Sequence, residues 1–570
     1  RGDAAVASAA AERVLAAPAP PAQRREALEV LASASVLRGD LEAGLDALRQ
    51  VAEMASGSER AGVLLRLAEL LDRAGDRGEA VDVARRVVVE HPQSVAAPRA
   101  LDLLHDLGAS DAVSYAEAGL VRYGERSYDR AIANFDAYLA QQPDGPQAPQ
   151  ARYYRAMALD VQGAWEAAVA GFRELAERHP QSAWAPQGLY VAGRIFEERG
   201  DDGSAQAFYT WVLERWPASP VATDARFRLG LLQYVHGDAA GAIATWEPLT
   251  DLREEWARAL LWMGKALDRM GRRDEAVAAW EQVASGPPTA YETWRARDLL
   301  ADVRYPEQRL QPGGMNADQA APPGLADPPA DLDDPHVRRA VELVAVGLWD
   351  EASSEIEAAL QGWSAPASVL GDLVVWLQSQ GLHHLALRGA ALERSDADES
   401  VRERLEAVAR GVPYASLIEA AAAEEGLDPH LLAGLVRQES AFNPRAVSPA
   451  RAVGLTQVMP STGSEIAEKL DWPDYRSDDL LRPEVSLRFG AWYLARALER
   501  YDGRLFPSLA AYNAGPGTVD GWMERFGYDD PDVFVERVPW REPAQYIRKV
   551  YAWYRTFQES ASPVPSADAP

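Results

Sequence analysis

The chemistry in this sequence centres on a single carboxylate at the end of an apolar stretch. Residues 434–460 read GLVRQESAFNPRAVSPARAVGLTQVMP. Ahead of them, Asp428-Pro429 makes a helix start: a side-chain oxygen to cap free N–H groups, then a residue that tolerates the first helical position. Counted from Leu432, Leu435 lies at +3, Val436 at +4 and Glu439 at +7, offsets that share one face of a helix. Glu439 therefore falls on the inward, apolar stripe. A carboxyl in such a setting resists ionisation, which raises its pKa and suits it to act as a general acid near neutral pH. The same spacing is met by a Glu439 that sits at a frayed helix end and turns to water, and spacing does not choose between the two.

The surrounding residues add polar groups that could meet a ligand. Gln457 offers a donor and an acceptor to a sugar amide or hydroxyl, and Gly454 allows a close approach of backbone to the pocket. Tyr512 and Asn513 end an apolar stretch just before Gly515 and Gly517, where a tight turn can present both side chains. A capped helix terminus would look the same.

Taken in order, these segments resemble a known family. Glu439-Ser440-Ala441-Phe442-Asn443-Pro444, Gly454-Leu455-Thr456-Gln457-Val458-Met459-Pro460 and Ala511-Tyr512-Asn513-Ala514-Gly515-Pro516-Gly517 resemble the three ordered motifs of the soluble lytic transglycosylases, lysozyme-like enzymes that cleave peptidoglycan. Val538-Pro539-Trp540 with Glu542 and Tyr546 resembles the closing segment of that family. The likeness covers roughly residues 411–558, about a quarter of the chain.

The resemblance implies cleavage of the MurNAc–GlcNAc β-1,4 bond by one glutamate in two roles. Glu439 would first protonate the leaving glycosidic oxygen, then take the proton from the muramic acid 6-hydroxyl as that oxygen attacks the anomeric carbon. The product is a 1,6-anhydro sugar and no water is consumed. The attacking hydroxyl is already tethered, so no bound nucleophile is needed. By the same resemblance Ser440 and Gln457 orient substrate or the carboxylate, Met459, Tyr512 and Asn513 line the substrate cleft, Tyr546 donates a hydrogen bond near the reacting centre, and Glu542 supports it from behind. No cofactor and no metal is implied. Two departures stand out. The usual Gly-Leu-Met-Gln is Gly-Leu-Thr-Gln here, which reads as a smaller, polar cleft wall at Thr456. The usual Glu-Thr-Arg before the late tyrosine is Glu542-Pro543-Ala544, which lacks the arginine.

Two other readings compete. A muramidase or similar hydrolase on the same fold would need a second carboxylate. Asp471, Asp474, Asp478 and Asp479 lie in a polar loop that reads as solvated surface. A scaffold whose last domain only binds glycan is the other; the intact Glu-Ser, Gln and Tyr-Asn set argues against it.

The rest of the chain must hold this pocket. Its 570 residues exceed what one core can organise and call for two to four domains. No apolar run approaches the roughly 18 residues of a membrane span. No basic, apolar leader opens the chain at Arg1, which fits a chain that begins after a processed signal. With no cysteine there are no disulfides and no cysteine-ligated metal. A net charge of −28 argues against nucleic acid or an anionic membrane as partner. Residues 411–560 hold 16 Lys plus Arg against 22 Asp plus Glu, so most of the acidity lies further upstream, where it reads as solvated surface.

Residues 1–302 contain a repeat. Ala131, Ala168, Ala205, Ala242 and Ala276 are separated by 37, 37, 37 and 34 residues. Four positions after each stands an aromatic: Phe135, Phe172, Tyr209, Trp246, Trp280. Pro143, Pro180 and Pro217 follow the first three alanines by 12, and Ala43, Ala80 and Pro92 extend the pattern upstream. The step of 51 from Ala80 to Ala131 marks an irregular repeat or an insertion. The pattern resembles tetratricopeptide-type helical hairpins stacked as a solenoid, with small residues for close helix approach, aromatics as filler and proline as terminator. Such an array offers a surface to protein partners.

Residues 303–335, rich in Pro, Gly, Ala and Asp, read as an extended or disordered surface linker. Residues 336–410 read as a small helical bridge. Its His383-His384 pair does not make a metal site, because adjacent residues diverge on a helix and no carboxylate stands at ligand spacing. Residues 411–558 are then the lysozyme-like domain, with 484–500 its central buried helix, and 559–570 a disordered tail. The expected fold class is all-α. The resemblance places the protein in the bacterial periplasm, free or lipid-anchored at its N-terminus, with peptidoglycan strands as its partner.

Overall fold

The computed structural model describes residues 2–17, 19–312, 314–315, 327–328, 334–392 and 395–561. Among these the chain is all-α, as expected; the extended pairing consists of isolated antiparallel bridges of Val453 to Val447 and Val458. It divides into two compact units, Arg1–Leu229 and Gly230–Pro570.

The first unit is a series of helical hairpins. Ala131, Ala168 and Ala205 are fully buried, and so are Phe135, Phe172 and Tyr209. In two of these hairpins the aromatic of the second helix fills a notch in the first helix, 16 residues earlier. A Cβ on Gly119 would lie 2.5 Å from the Phe135 ring, and one on Gly193 would lie 2.5 Å from the ring of Tyr209. The small residue at −16 is thus as much a part of the repeat as the aromatic. Helices Tyr128–Gln141, Trp165–Arg178 and Asp202–Arg215 each stop just before the repeating prolines Pro143, Pro180 and Pro217. Within a hairpin, Gly200 takes a left-handed φ of +78° and the Asp201 side chain then caps the second helix by accepting from the Ser204 N–H at 3.0 Å. The step of 51 residues holds an extra short helix, Ala97–Asp106, and a 3-10 turn, Ser110–Ala112.

The second unit begins with more of the same pattern. Trp246 fits over Gly230 and Trp280 over Gly264. It continues without a break into the C-terminal domain, so the boundary expected at residue 302 falls inside one compact unit. The reason is a seam of charges that the sequence reading left in water. Helix α7 (Pro531–Arg537) buries Asp532 against the repeat helices Trp256–Arg269 and Tyr291–Leu300. Lys265 Nζ reaches Asp532 at 2.5 Å and Asp530 at 2.5 Å, Arg295 Nε donates to Asp532 at 2.8 Å, and the Tyr291 hydroxyl donates at 2.6 Å. Glu536 accepts from Arg258 at 2.5 Å and from Arg548 at 2.6 Å, while Tyr551 and Arg555 both donate to Asp298. Burial alone would raise the Asp532 carboxyl, but Arg295 and Lys265 outweigh it and hold the group far below the usual carboxylate range. Around the seam, one apolar core runs from Tyr291 through the bridge residues Leu370, Leu373 and Leu377 to Leu431, Leu435 and Val550.

The start of the expected linker is also not free. Residues Pro306–Arg309 form a 3-10 turn. Tyr554 donates to the Arg309 carbonyl at 2.7 Å, Tyr528 to Glu307 at 3.1 Å, and the Gln311 N–H to Asp428 at 3.0 Å. A segment with little to bury is held instead through its backbone polar groups. Residues 316–326 and 329–333 of the linker lie outside the described residues. The bridge consists of helices Pro335–Ala345, Trp349–Gln361, Ala367–Ser379, His383–Ala390 and Glu399–Arg410. In it, burial pushes His383 and His384 down to about 4.

The C-terminal helices are α1 (Ala415–Glu425), α2 (Pro429–Ser440), α3 (Pro460–Lys469), α4 (Pro483–Arg500), α5 (Leu505–Ala514), α6 (Pro516–Phe526), α7 and α8 (Arg541–Ala561). Helix α8 runs three residues past the end expected at 558; residues 562–570 of the expected tail lie outside the described residues.

The seam predicts a sharp dependence on one carboxylate. Asp532→Ala leaves Lys265 and Arg295 buried without their shared partner. It should destabilise the second unit by about 3–5 kcal/mol, measured as a lowered midpoint of that unit's transition in urea.

Candidate active site

Glu439 sits on the last turn of α2, and α2 is placed by α8. The two helices meet backbone to backbone at Gly434, where a Cβ would stand 2.8 Å from the Tyr554 nitrogen and 3.1 Å from the Val550 carbonyl oxygen. At the N-terminus of α2, the buried cap Asp428 accepts from the His430 N–H at 2.9 Å and from the Tyr554 hydroxyl at 3.1 Å. At the C-terminus, the Tyr546 hydroxyl donates to Glu439 Oε1 at 2.6 Å. Tyr546, Val550 and Tyr554 follow one another at four-residue steps on α8, so one helix face touches α2 along its length.

The chain then leaves α2 through two consecutive non-glycine residues in left-handed geometry, Ala441 at φ 50° and Phe442 at φ 63°. Such residues cost on the order of 1–3 kcal/mol each and persist only where their surroundings hold them. Here Phe442 is fully buried, the Ala441 N–H donates to the Arg437 carbonyl at 3.2 Å and the Asn443 N–H to the Ser440 carbonyl at 3.0 Å. The turn keeps the Glu439 end of the helix from fraying toward water.

Glu439 is accordingly on the inward face. Burial pushes its carboxyl up to about 7; the Tyr546 hydrogen bond pulls the other way, and the nearby Glu542 charge adds to the rise. Tyr546 and Tyr512 are both pushed well above their ordinary range by burial first and by the charge of Glu439 second, so both stay neutral phenols at pH 7. The site therefore holds a carboxyl that can keep or release its proton near neutrality, beside two phenols that remain protonated.

The other expected site residues fall into two groups. Ser440 and Gln457 tie the loop. Ser440 Oγ donates to the Leu455 carbonyl at 2.8 Å, and Gln457 Nε2 donates to the carbonyls of Gly454 at 2.8 Å and Ala446 at 3.1 Å. Gln457 itself has φ 49°. Gly454 is required at its position, though for a reason other than the pocket: at φ +80° a Cβ would stand 2.0 Å from the Leu480 carbonyl oxygen. Tyr512 on α5 donates to the Thr456 carbonyl at 2.8 Å and meets the Tyr493 ring edge-on. Asn513 is half-buried on the last turn of α5, while Met459 and Glu542 are exposed.

Thr456 is not a cleft wall. It is fully buried, and its hydroxyl donates to the Ser486 carbonyl on α4 at 2.7 Å. Sequence reading missed Ser486 and Gly490, which receive it. The signal was a serine and a glycine one helical turn apart in an otherwise bulky helix. Of the aspartates weighed as second acids, Asp471, Asp474 and Asp478 are exposed, and Asp479 accepts from the Arg476 N–H at 2.8 Å.

Fold and site together define the class: tetratricopeptide-type hairpins leading into a helical domain with one half-buried glutamate of raised pKa at the end of α2. More particularly, residues 416–534 match the family model described as the transglycosylase SLT domain. Residues 117–183 and 190–247 match one tetratricopeptide repeat model, and 63–94 and 258–285 another. The chain thus carries an SLT domain and tetratricopeptide repeats. It is 41% identical over 129 residues to the soluble lytic murein transglycosylase of Salmonella typhimurium, a match that covers 22% of this chain and 20% of that protein. It is 39% identical over 128 residues to the protein of that name from Escherichia coli K12, again 22% and 20%. The match thus spans about a fifth of the length of these curated relatives. The 70 kDa soluble lytic transglycosylase from Escherichia coli shares the fold, with a TM-score of 0.66 at 18% identity over 98% of this chain and 88% of that one. An inactive mutant of lytic transglycosylase Slt from Pseudomonas aeruginosa gives 0.64 at 20% identity over 98% and 90%.

Because Glu439 is raised from 4.5 to about 7 on folding, ionising it works against the fold. The stability associated with its neutral form is complete below about 4.5 and is lost as pH rises through about 7. Glu439→Gln should therefore be more stable than the parent at about pH 8, by up to about 3 kcal/mol, and the gap should close by about pH 4. Thermal unfolding across that pH range reads the difference.

Proposed function

We propose that this protein is a peptidoglycan lytic transglycosylase that cleaves the MurNAc–GlcNAc β-1,4 bond without water and leaves 1,6-anhydro-MurNAc ends. The observation that carries the reading is Glu439, a carboxyl raised to about 7 and bonded to Tyr546 at 2.6 Å. Protonated, it gives its proton to the glycosidic oxygen as that bond breaks. Ionised by that step, it accepts the proton of the muramic acid 6-hydroxyl as the new C–O bond forms. A group poised near neutrality can do both in one turnover.

The surroundings of Glu439 favour this over hydrolysis. A hydrolase of the two-carboxylate type places its second acid across the cleft. Glu439 bonds to the Tyr546 phenol, and Glu542, the carboxylate whose charge reaches it, is exposed and lies on the same helix as Tyr546. Tyr546 steadies the ionised form of Glu439 between the two proton transfers. Ser440 and Gln457 hold the turn that faces it, and Met459, Tyr512 and Asn513 line the substrate cleft. Murein strands in the bacterial periplasm are the substrate, reached by a protein that is free or lipid-anchored at its N-terminus. The repeats give a protein partner a surface on which to dock. Among the described residues no helix is long and apolar enough to cross a membrane.

Mass spectrometry of the products from purified peptidoglycan tests the reading. Muropeptides lighter by one water and without a reducible end are expected from the parent, and none from Glu439→Gln. Ordinary reducible ends would make it a hydrolase; intact strands bound without turnover would make it a glycan-binding scaffold.

A further inference from the structure

The turn bonded to Ser440, the residue after Glu439, is anchored at a residue with no place in the scheme above. Thr456 uses three polar atoms at once. Its N–H donates to Ser486 Oγ at 3.2 Å, its hydroxyl donates to the Ser486 carbonyl at 2.7 Å, and its own carbonyl accepts from the Tyr512 hydroxyl at 2.8 Å. On either side, the Leu455 carbonyl accepts from Ser440, the residue after Glu439, and Gln457 is held at φ 49°. Helix α4 is shaped to take this residue. Ser486 supplies the polar partners, and one turn later a Cβ on Gly490 would stand 2.4 Å from Thr456 Cβ and Cγ2. Thr456 and Ser486 are both fully buried, so neither meets substrate.

Resting on the assignment of Glu439 as the acid, we propose that Thr456 is a positioning residue for the reaction. Locked into the Ser486–Gly490 notch, it fixes the carbonyl on which the Tyr512 phenol rests, and so keeps the wall beside Glu439 closed to water. A buried hydroxyl that served stability alone would leave the acid unchanged when lost. A hydroxyl that holds Tyr512 in place would change the protonation of Glu439 when lost, because water entering beside the carboxyl favours its charged form. The titratable groups that face Glu439 are Tyr546 and Glu542 from α8 and Tyr512 from α5, so the effect can be traced to one of them.

The test is the pH dependence of kcat/KM on peptidoglycan for the full chain. Activity falls on the alkaline side as the acid ionises. Thr456→Val, equal in size but without the hydroxyl, should move that limb to lower pH by about one unit and lower kcat about tenfold, with KM changed less than about threefold. Thr456→Ser keeps the hydroxyl and should restore the limb. Tyr512→Phe should move the limb in the same direction. Combined with Thr456→Val it should add little, since both act through one contact. Should Thr456→Val fail to fold, Ser486→Ala removes the N–H acceptor and is measured in its place. An unshifted limb, a serine variant that behaves like valine, or effects of Thr456→Val and Tyr512→Phe that multiply would each overturn the proposal. Glu439→Gln in the same assay separates the two levels: an active Glu439→Gln means that the acid was misassigned, and an inactive one with an unshifted Thr456→Val means that only the role of Thr456 was.

Discussion

The contact of helix α2 with helix α8 at Gly434 is the constraint from which the site follows. With no side chain between them, the two backbones run within van der Waals reach, and the helix ends can then be joined by short polar bonds. Tyr554 closes on the cap Asp428 at one end and Tyr546 closes on Glu439 at the other. A larger residue at 434 would separate the helices and lengthen both bonds together. The half-buried carboxyl, its raised pKa and the neutral phenols beside it are all consequences of that approach.

What fixes α8 lies partly outside the C-terminal domain. Arg548, Tyr551 and Arg555 on this helix bond to Glu292, Asp298 and Glu536, and the seam extends through Asp532 to Lys265 and Arg295. Burying so many charges gains little net energy compared with an apolar interface, because each loses its water. Its return is geometric. Guanidinium and carboxylate groups bond at set distances and angles, so a seam of them permits one register of the repeat helices on α7 and α8. The last repeats therefore act as the foundation of the domain that carries Glu439.

Much of this was legible in the sequence, for reasons that also explain the rest. The start of α2 followed from Asp428-Pro429 and the repeat from its alanines and aromatics, because each is a local pattern; helical spacing offered Glu439 an inward face without choosing it over a frayed end. The other half of the repeat, the small residue 16 positions before each aromatic, was equally periodic. It went unread because one of its members is an alanine, Ala156, among glycines. Thr456 looked like a cleft residue because it stands in the segment that carries Gln457 and Met459. Its partners Ser486 and Gly490 lie thirty or more residues away, and only the fold brings them together. That residue 302 lies inside one compact unit was illegible for a similar reason. Lys265, Arg295 and Asp532 are charged, and charged residues read as surface until their partners from distant segments are known. The charge seam also anchors the first residues of the supposed linker, since Arg309 bonds to Asp298 at 3.1 Å.

The proposed chemistry needs a glutamate that is half protonated near neutral pH because burial disfavours its charged form. Carbon-13 NMR of glutamate-labelled protein measures this directly. The carboxyl signal missing from the Glu439→Gln spectrum assigns the residue, and its shift is followed from about pH 4 to pH 9. A midpoint at about 7 is the predicted result. A midpoint between about 4 and 5, the range of an exposed glutamate, would mean that water reaches the site and that Glu439 cannot serve as the acid in the way described.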